Sequence, residues 1–117
     1  MATETVIPEA ALSSPRAAYE YATDVLNNRF PEGEYLIAQQ PYWAYLYALY
    51  RIKGRFIAAE PVIAPSEHAC YYAIHVIRGR WLEAEPAIVC SDRAKLYFGY
   101  FKPLFTEHEK LIWLLTE

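Results

Sequence analysis

Cysteine is nearly absent: Cys70 and Cys90 are the two in the sequence, twenty residues apart and neither part of a C-x-x-C pair. A disulfide framework or a zinc site needs more than this. The thiols are therefore expected to be free, small interior residues of an intracellular protein, with no metal and no cofactor. Glycine is equally scarce, and its four residues, 33, 54, 79 and 99, never approach the spacing of a loop that wraps a phosphate. There is no block of five or six like charges, and the net charge is only −3. That argues against a nucleic-acid-binding surface. The N-terminus lacks the basic, apolar and small-residue sequence of a secretory leader. The longest apolar run, around Trp43 to Tyr50, falls far short of the ~20 residues needed to cross a bilayer. A soluble, cytoplasmic protein with no membrane partner is the expectation.

Apolar side chains, by contrast, are plentiful. They make up 55% of 117 residues, with 16% aromatic and eleven tyrosines, ample for one folded domain and too apolar for disorder. Their order is periodic. Ala18, Ala44, Ala69 and Ala94 stand 26, 25 and 25 residues apart, each followed three positions later by Tyr21, Tyr47, Tyr72 or Tyr97. Ala22, Ala48, Ala73 and Phe98 come next, then the apolar Val25, Ile52, Val76 with Ile77, and Phe101. A turn carries Arg29-Phe30, Arg55-Phe56 and Arg80-Trp81, with Phe105 in the fourth copy. Glu34, Glu60, Glu85 and Glu109 follow, and three residues beyond each lies Ile37, Ile63, Ile88 or Ile112. Periods of 20 to 50 residues are the mark of helical arrays.

Positions 0, +3, +4 and +7 or +8 share one face of an α-helix, so each copy predicts a helix A, over about 15–28, 41–54, 66–79 and 91–103. Pro15 and Pro41 suit a first turn, Ser66 and Ser91 suit an N-cap, and Asn28, Gly54 and Gly79 suit a left-handed C-cap. A shorter helix B follows each turn, its start confined by Pro31, Pro61 and Pro86. The fold class is all-α: a short solenoid of four two-helix repeats, approximately 14–39, 40–64, 65–89 and 90–117. The apolar run Leu111 to Leu115 is expected to form the inner face of a C-terminal capping helix. Residues 1–13 are a leader or an N-terminal cap.

The Arg and Glu columns read as scaffold, because each sits where a helix end favours its charge. Catalytic sets fail on spacing. His68 and His75 lie about 10.5 Å apart along one helix, too far to share a metal ion, and no nucleophile and base fall together, so no catalytic residue is assigned. Positions of helix A that vary between copies are the ones free to serve a partner. The row at +1 and +5 (Tyr19, Thr23; Tyr45, Leu49; Cys70, Ile74; Lys95, Gly99) is apolar in the middle copies and is expected in the core. The row at +2, +6 and +9 passes from acidic (Glu20, Asp24) to aromatic and basic. From it Tyr50, Lys53, Tyr71, His75, Arg78 and Tyr100 form the candidate partner surface, since tyrosine and arginine are common interface anchors.

The third copy, Ala69-x-x-Tyr72-Ala73-x-x-Val76-Ile77-x-Gly79-Arg80-Trp81-x-Glu83-Ala84-Glu85-Pro86-x-Ile88, resembles tandem helical repeats of small hypothetical proteins of tailed phages and large DNA viruses. The resemblance spans residues 17–112 and is strongest in the second and third copies. The fourth lacks the glycine and arginine of the turn and carries Pro103. What it implies is a solenoid of viral origin with no transferable site residues. The function expected on that basis is non-enzymatic binding of a host protein, as an antagonist of host defence. A sponge for a small signalling nucleotide and a structural or assembly component of the particle are the alternatives.

Overall fold

The computed structural model describes residues 6–116. Among them the protein is all-helical, with eight α-helices and no strand. The first member of each pair is α1 (Pro15–Glu20), α3 (Pro41–Tyr47), α5 (Ala69–Tyr72) and α7 (Ala94–Phe101). The second is α2 (Glu34–Ile37), α4 (Glu60–Ile63) and α6 (Glu85–Ile88), four residues each and entered through a 3-10 turn, while α8 (Glu107–Thr116) is the last, at ten residues. The molecule is a rod of 60 × 22 × 18 Å with a radius of gyration of 17.0 Å, against about 13 Å for a compact domain of this length.

Three helices do not end where Asn28, Gly54 and Gly79 suggested. After α1, α3 and α5 the backbone widens into a π turn, over Tyr21–Leu26, Ala48–Ile52 and Ala73–Ile77. The Ala48 carbonyl accepts from both Lys53 N–H (2.7 Å) and Gly54 N–H (3.2 Å), and the Ala73 carbonyl accepts likewise from Arg78 (2.7 Å) and Gly79 (3.3 Å). The widened turn moves the left-handed position one residue earlier than expected. Asn27 (φ 49°), Lys53 (φ 61°) and Arg78 (φ 62°) occupy it, and no glycine has positive φ among the described residues. The fourth copy places Pro103 at this position. Its ring holds φ near −65°, so a left-handed cap is forbidden there, and α7 ends in a 3-10 turn, Lys102–Leu104.

The starts divide as well. Ser14 accepts from Ala17 N–H (3.0 Å) ahead of Pro15, and Pro41 opens α3. Ser66 and Ser91, expected as caps, instead accept from the N–H groups of His68 and Arg93 two residues on, at 3.1 Å each. This local turn competes with helix, so α5 and α7 begin only at Ala69 and Ala94.

The repeated columns build the core. The alanines, the turn aromatics Phe30, Phe56 and Trp81, and Ile37, Ile63 and Ile88 are buried, and Tyr47, Tyr72 and Tyr97 are fully so. Each of these tyrosines reaches back into the preceding copy with its hydroxyl. Tyr47 Oη accepts from Phe30 N–H (2.7 Å) and donates to Glu34 (2.6 Å). Tyr72 does the same with Phe56 N–H (2.8 Å) and Glu60 (2.8 Å), and Tyr97 with Trp81 N–H (2.7 Å) and Glu85 (2.6 Å). The glutamates are in turn clamped by two-pronged pairs from Arg29, Arg55 and Arg80, at 2.7–3.1 Å. The Arg and Glu columns are thus structural, bonded within one copy and bound by the tyrosine of the next.

The C-terminal cap works differently from expectation. Trp113 alone of the Leu111 to Leu115 run is buried, while Leu111, Ile112, Leu114 and Leu115 are 48–82% exposed. Trp113 stacks on Tyr97 (centroids 5.3 Å, 16° between planes) and meets Phe105 edge-on (5.4 Å). Arg80 reaches Glu109 of the same helix at 2.9 Å. The register is pinned by one indole and one ion pair, which leaves Ile112 turned outward. At the other end, Glu9–Leu12 forms a 3-10 turn with Ala11 buried.

Tyr72→Phe should destabilise the fold by about 2 kcal/mol, because it strands a buried N–H and a shielded carboxylate. Arg16→Ala, which removes an exposed pair with Glu20, should cost under about 0.5 kcal/mol; urea denaturation of the two variants compares them. Stability should also fall at both pH extremes. Burial, reinforced by the bond to Glu34, raises Tyr47 from 10.0 to about 12. A group raised in the folded state contributes fully below its unfolded pKa, so stability is lost as pH climbs from 10 through 12. Glu109 is held at about 2 by Arg80 and the Thr106 N–H. For Glu60 burial works upward, but Arg55 and Tyr72 outweigh it and lower it below 4.5. Their contribution is present above pH 4.5 and lost on descent toward 2. Melting temperature followed from pH 2 to 12 should show a plateau between these limits.

Candidate functional site

A groove of about 710 Å³ opens where the second and third copies meet, lined among others by Tyr50, Arg51, Lys53, His75, Val76 and Arg78. It contains four of the six residues of the candidate partner surface. Among the described residues no carboxylate lines it. Tyr50, Lys53, His75 and Arg78 are all exposed.

The groove exists because of one column. Seven residues beyond the first alanine, the four copies carry Val25, Arg51, Val76 and Phe101. Arg51 spans the first junction and donates from Nη1 to Asn27 Oδ1 at 2.9 Å. Val76 is too short to make the corresponding crossing toward Lys53, so the second junction stays open. Phe101 is buried. Arg51 itself also lines the groove, and its Nε is buried with no hydrogen-bond partner. Sequence reasoning missed it because Ile52, the neighbouring residue, fits the apolar column; the signal was a charge standing where other copies place valine or phenylalanine.

Lys53 and Arg78 carry a backbone cost. A non-glycine residue in the left-handed region costs about 1–2 kcal/mol, asparagine less because its side chain bonds locally. Asn27 in the first copy fits that rule; Lys53 and Arg78 do not. A cation beside a helix C-terminus recovers only about 0.3–1 kcal/mol, and Arg55 and Arg80 already stand just beyond.

Aromatic rings flank the groove. Tyr71 lies parallel to His75 (6.1 Å, 3°), and Arg93 of the fourth copy sits over the Tyr71 ring at 5.3 Å. Burial raises the pKa of the Tyr45 hydroxyl, and the nearby Tyr50 and Tyr71 add to the shift. Tyr100 does not join them. It lines a separate shallow hollow with Lys95, Leu96 and Gly99, one copy further along the rod.

The +1 and +5 row is core only in the third copy. Cys70 and Ile74 are buried, Tyr19, Thr23, Tyr45 and Leu49 are half-buried, and Lys95 and Gly99 are exposed. The loop ahead of α7 covers Cys70, whose Sγ lies 3.8 Å from the Arg93 carbonyl. Beyond Lys95 and Gly99 the described residues hold no further helix of this kind to cover them. Burial pushes the Cys70 thiol up to about 11. Cys90, expected inside, is exposed; it stands in the bend between α6 and α7 rather than on a packed helix face. No group of three metal-ligating side chains occurs among the described residues, and none of their helices is long and apolar enough to cross a membrane.

No family model matches the chain, and no curated protein or solved structure is significantly similar to it.

Replacing Lys53 or Arg78 by glycine should stabilise the fold by about 0.5–1 kcal/mol each, the left-handed cost less the chain entropy glycine brings. Chemical denaturation of the single variants measures it. A loss of stability would show that these side chains support the fold.

Proposed function

We propose that the protein is a non-enzymatic binding protein: a short solenoid of four two-helix repeats that holds a protein partner at the junction of the second and third copies. One observation carries this reading, the convergence of Tyr50, Lys53, His75 and Arg78 on a single groove. These residues lie outside the columns that build the core, and two of them occupy a backbone conformation that other residue types adopt at lower cost. Tyrosine and arginine clustered around a depression are the composition of an interface anchor. The Tyr45, Tyr71 and Arg93 side chains extend the contact area along the rod. The likeness to repeats of phage and large DNA virus proteins supports a partner in a host cell, with antagonism of a host defence protein in the host cytoplasm as the biological role.

A second reading, a sponge for a small signalling nucleotide, draws on the groove's size, since about 300–1,000 Å³ is the usual range of a small-molecule site. The orientation of the helix ends disfavours it. Phosphates are typically held at helix N-termini, whereas this groove is walled by the C-terminal turns of two helices, Ala48–Ile52 and Ala73–Ile77. Their last carbonyls lack partners further along the helix and carry partial negative charge.

Capture experiments from host-cell extract test the assignment. Tyr50→Ala combined with Arg78→Ala should weaken binding of the recovered partner by at least about thirtyfold, the equivalent of ~2 kcal/mol at an interface centre. Binding within about twofold of wild type, with the fold intact, would move the interface elsewhere. A bound nucleotide in the purified protein, with no protein captured, would install the sponge.

A further inference from the structure

We infer that the groove is a receptor for a carboxylate carried on a protein segment, and that Lys53 and Arg78 are its specificity-determining residues, kept there at the fold's expense; this rests on the binding role proposed above. The lining supplies four groups able to donate to an anion, Arg51, Lys53, His75 and Arg78, and no carboxylate to oppose one. This local excess of positive charge belongs to a chain whose net charge is −3, so it is not a sample of a generally basic surface. Arg51 retains a buried Nε without a partner, a donor that a bound acceptor would satisfy.

The backbone adds a second, independent observation. Lys53 and Arg78 stand at φ 61° and 62°, each followed directly by a glycine that does not use the left-handed region. Placing a long cation there aims charge from the helix end toward the groove at a position where glycine or asparagine would cost the backbone less. Strain of this kind, which the favourable charge at the helix end repays only in part, points to a residue held for binding.

A peptide segment complements this surface in both signs. Its aspartate or glutamate side chain meets the rim cations, while its backbone N–H groups meet the carbonyls at the ends of the two helical turns. A free phosphate group offers only negative charge. Acidic protein segments are therefore the favoured ligand class.

The test titrates the wild-type chain with a capped hexaglutamate peptide, a capped hexaglutamine peptide and ATP, following backbone amide shifts by NMR. The same is done for Lys53→Gly/Arg78→Gly and for Lys53→Asn/Arg78→Asn, which removes both charges but keeps a residue suited to the left-handed turn. Hexaglutamate should give saturable shifts confined to residues 48–54 and 75–79, and hexaglutamine none. Both double variants should bind hexaglutamate at least about tenfold more weakly while melting higher than wild type. Equal binding of the two peptides, tighter binding of ATP than of hexaglutamate, unchanged affinity in the variants, or a lower melting temperature in both variants would each overturn the inference. If hexaglutamate fails to bind while Tyr50→Ala/Arg78→Ala still abolishes partner capture, the carboxylate falls and the binding role stands. If capture is also unaffected, both fall.

Discussion

A tyrosine hydroxyl from one copy, donated to the glutamate of the copy before it, is the bond on which the rest of the structure depends. The helices α2, α4 and α6 have four residues each, far below the length at which a helix is stable alone. Their first-turn glutamates are held on one side by the arginine of their own copy and on the other by the tyrosine of the next. The same hydroxyl accepts the buried N–H of the turn aromatic, so one side chain both fills the inter-copy space and satisfies the polar groups that the turn exposes. Coulombic attraction between exposed ions is weak in water. Here the carboxylates of Glu34, Glu60 and Glu85 are only 12–19% exposed, and charge-assisted bonds in such surroundings are about twice as strong as neutral ones.

The period, the helix pairs and the structural role of the Arg and Glu columns were all legible in the sequence, because burial acts on residue type and residue type recurs every 25 or 26 positions. The hydroxyl link was not. Tyrosine in a buried column is indistinguishable from phenylalanine by periodicity, and only the fold brings Tyr72 to Glu60 across twelve residues. The helix ends were misjudged for a related reason. A π-wide turn has no residue signature, and Gly54 and Gly79 drew the left-handed position toward themselves when it belongs to Lys53 and Arg78.

Of the six residues placed on the candidate surface, Tyr50, Lys53, His75 and Arg78 line one groove, Tyr71 flanks it and Tyr100 lies elsewhere. The first four were legible because helical spacing within a copy and the repeat between copies together fix which side chains neighbour one another. Tyr100 follows the same rule in sequence, but the fourth copy does not repeat the geometry. Pro103 removes the left-handed cap, and with it the cation that would have stood at the helix end.

Two columns therefore decide where along the rod a cationic groove opens. At +7, Arg51 bridges the first junction to Asn27, Val76 leaves the second open, and Phe101 is packed beside the third. At +9, the left-handed residue is neutral in the first copy, cationic in the second and third, and replaced by proline in the fourth. Among the described residues, only the second junction combines an unbridged gap with a cation on each side. A scaffold that repeats its contacts nearly identically thus presents one such place, and the asymmetry comes from single residues in two columns rather than from any change of fold. Moving the valine would move the opening: with Val at position 51 the first junction would lose its bridge, yet its other wall would carry Asn27, so the gap would open without the charge that the second junction gathers.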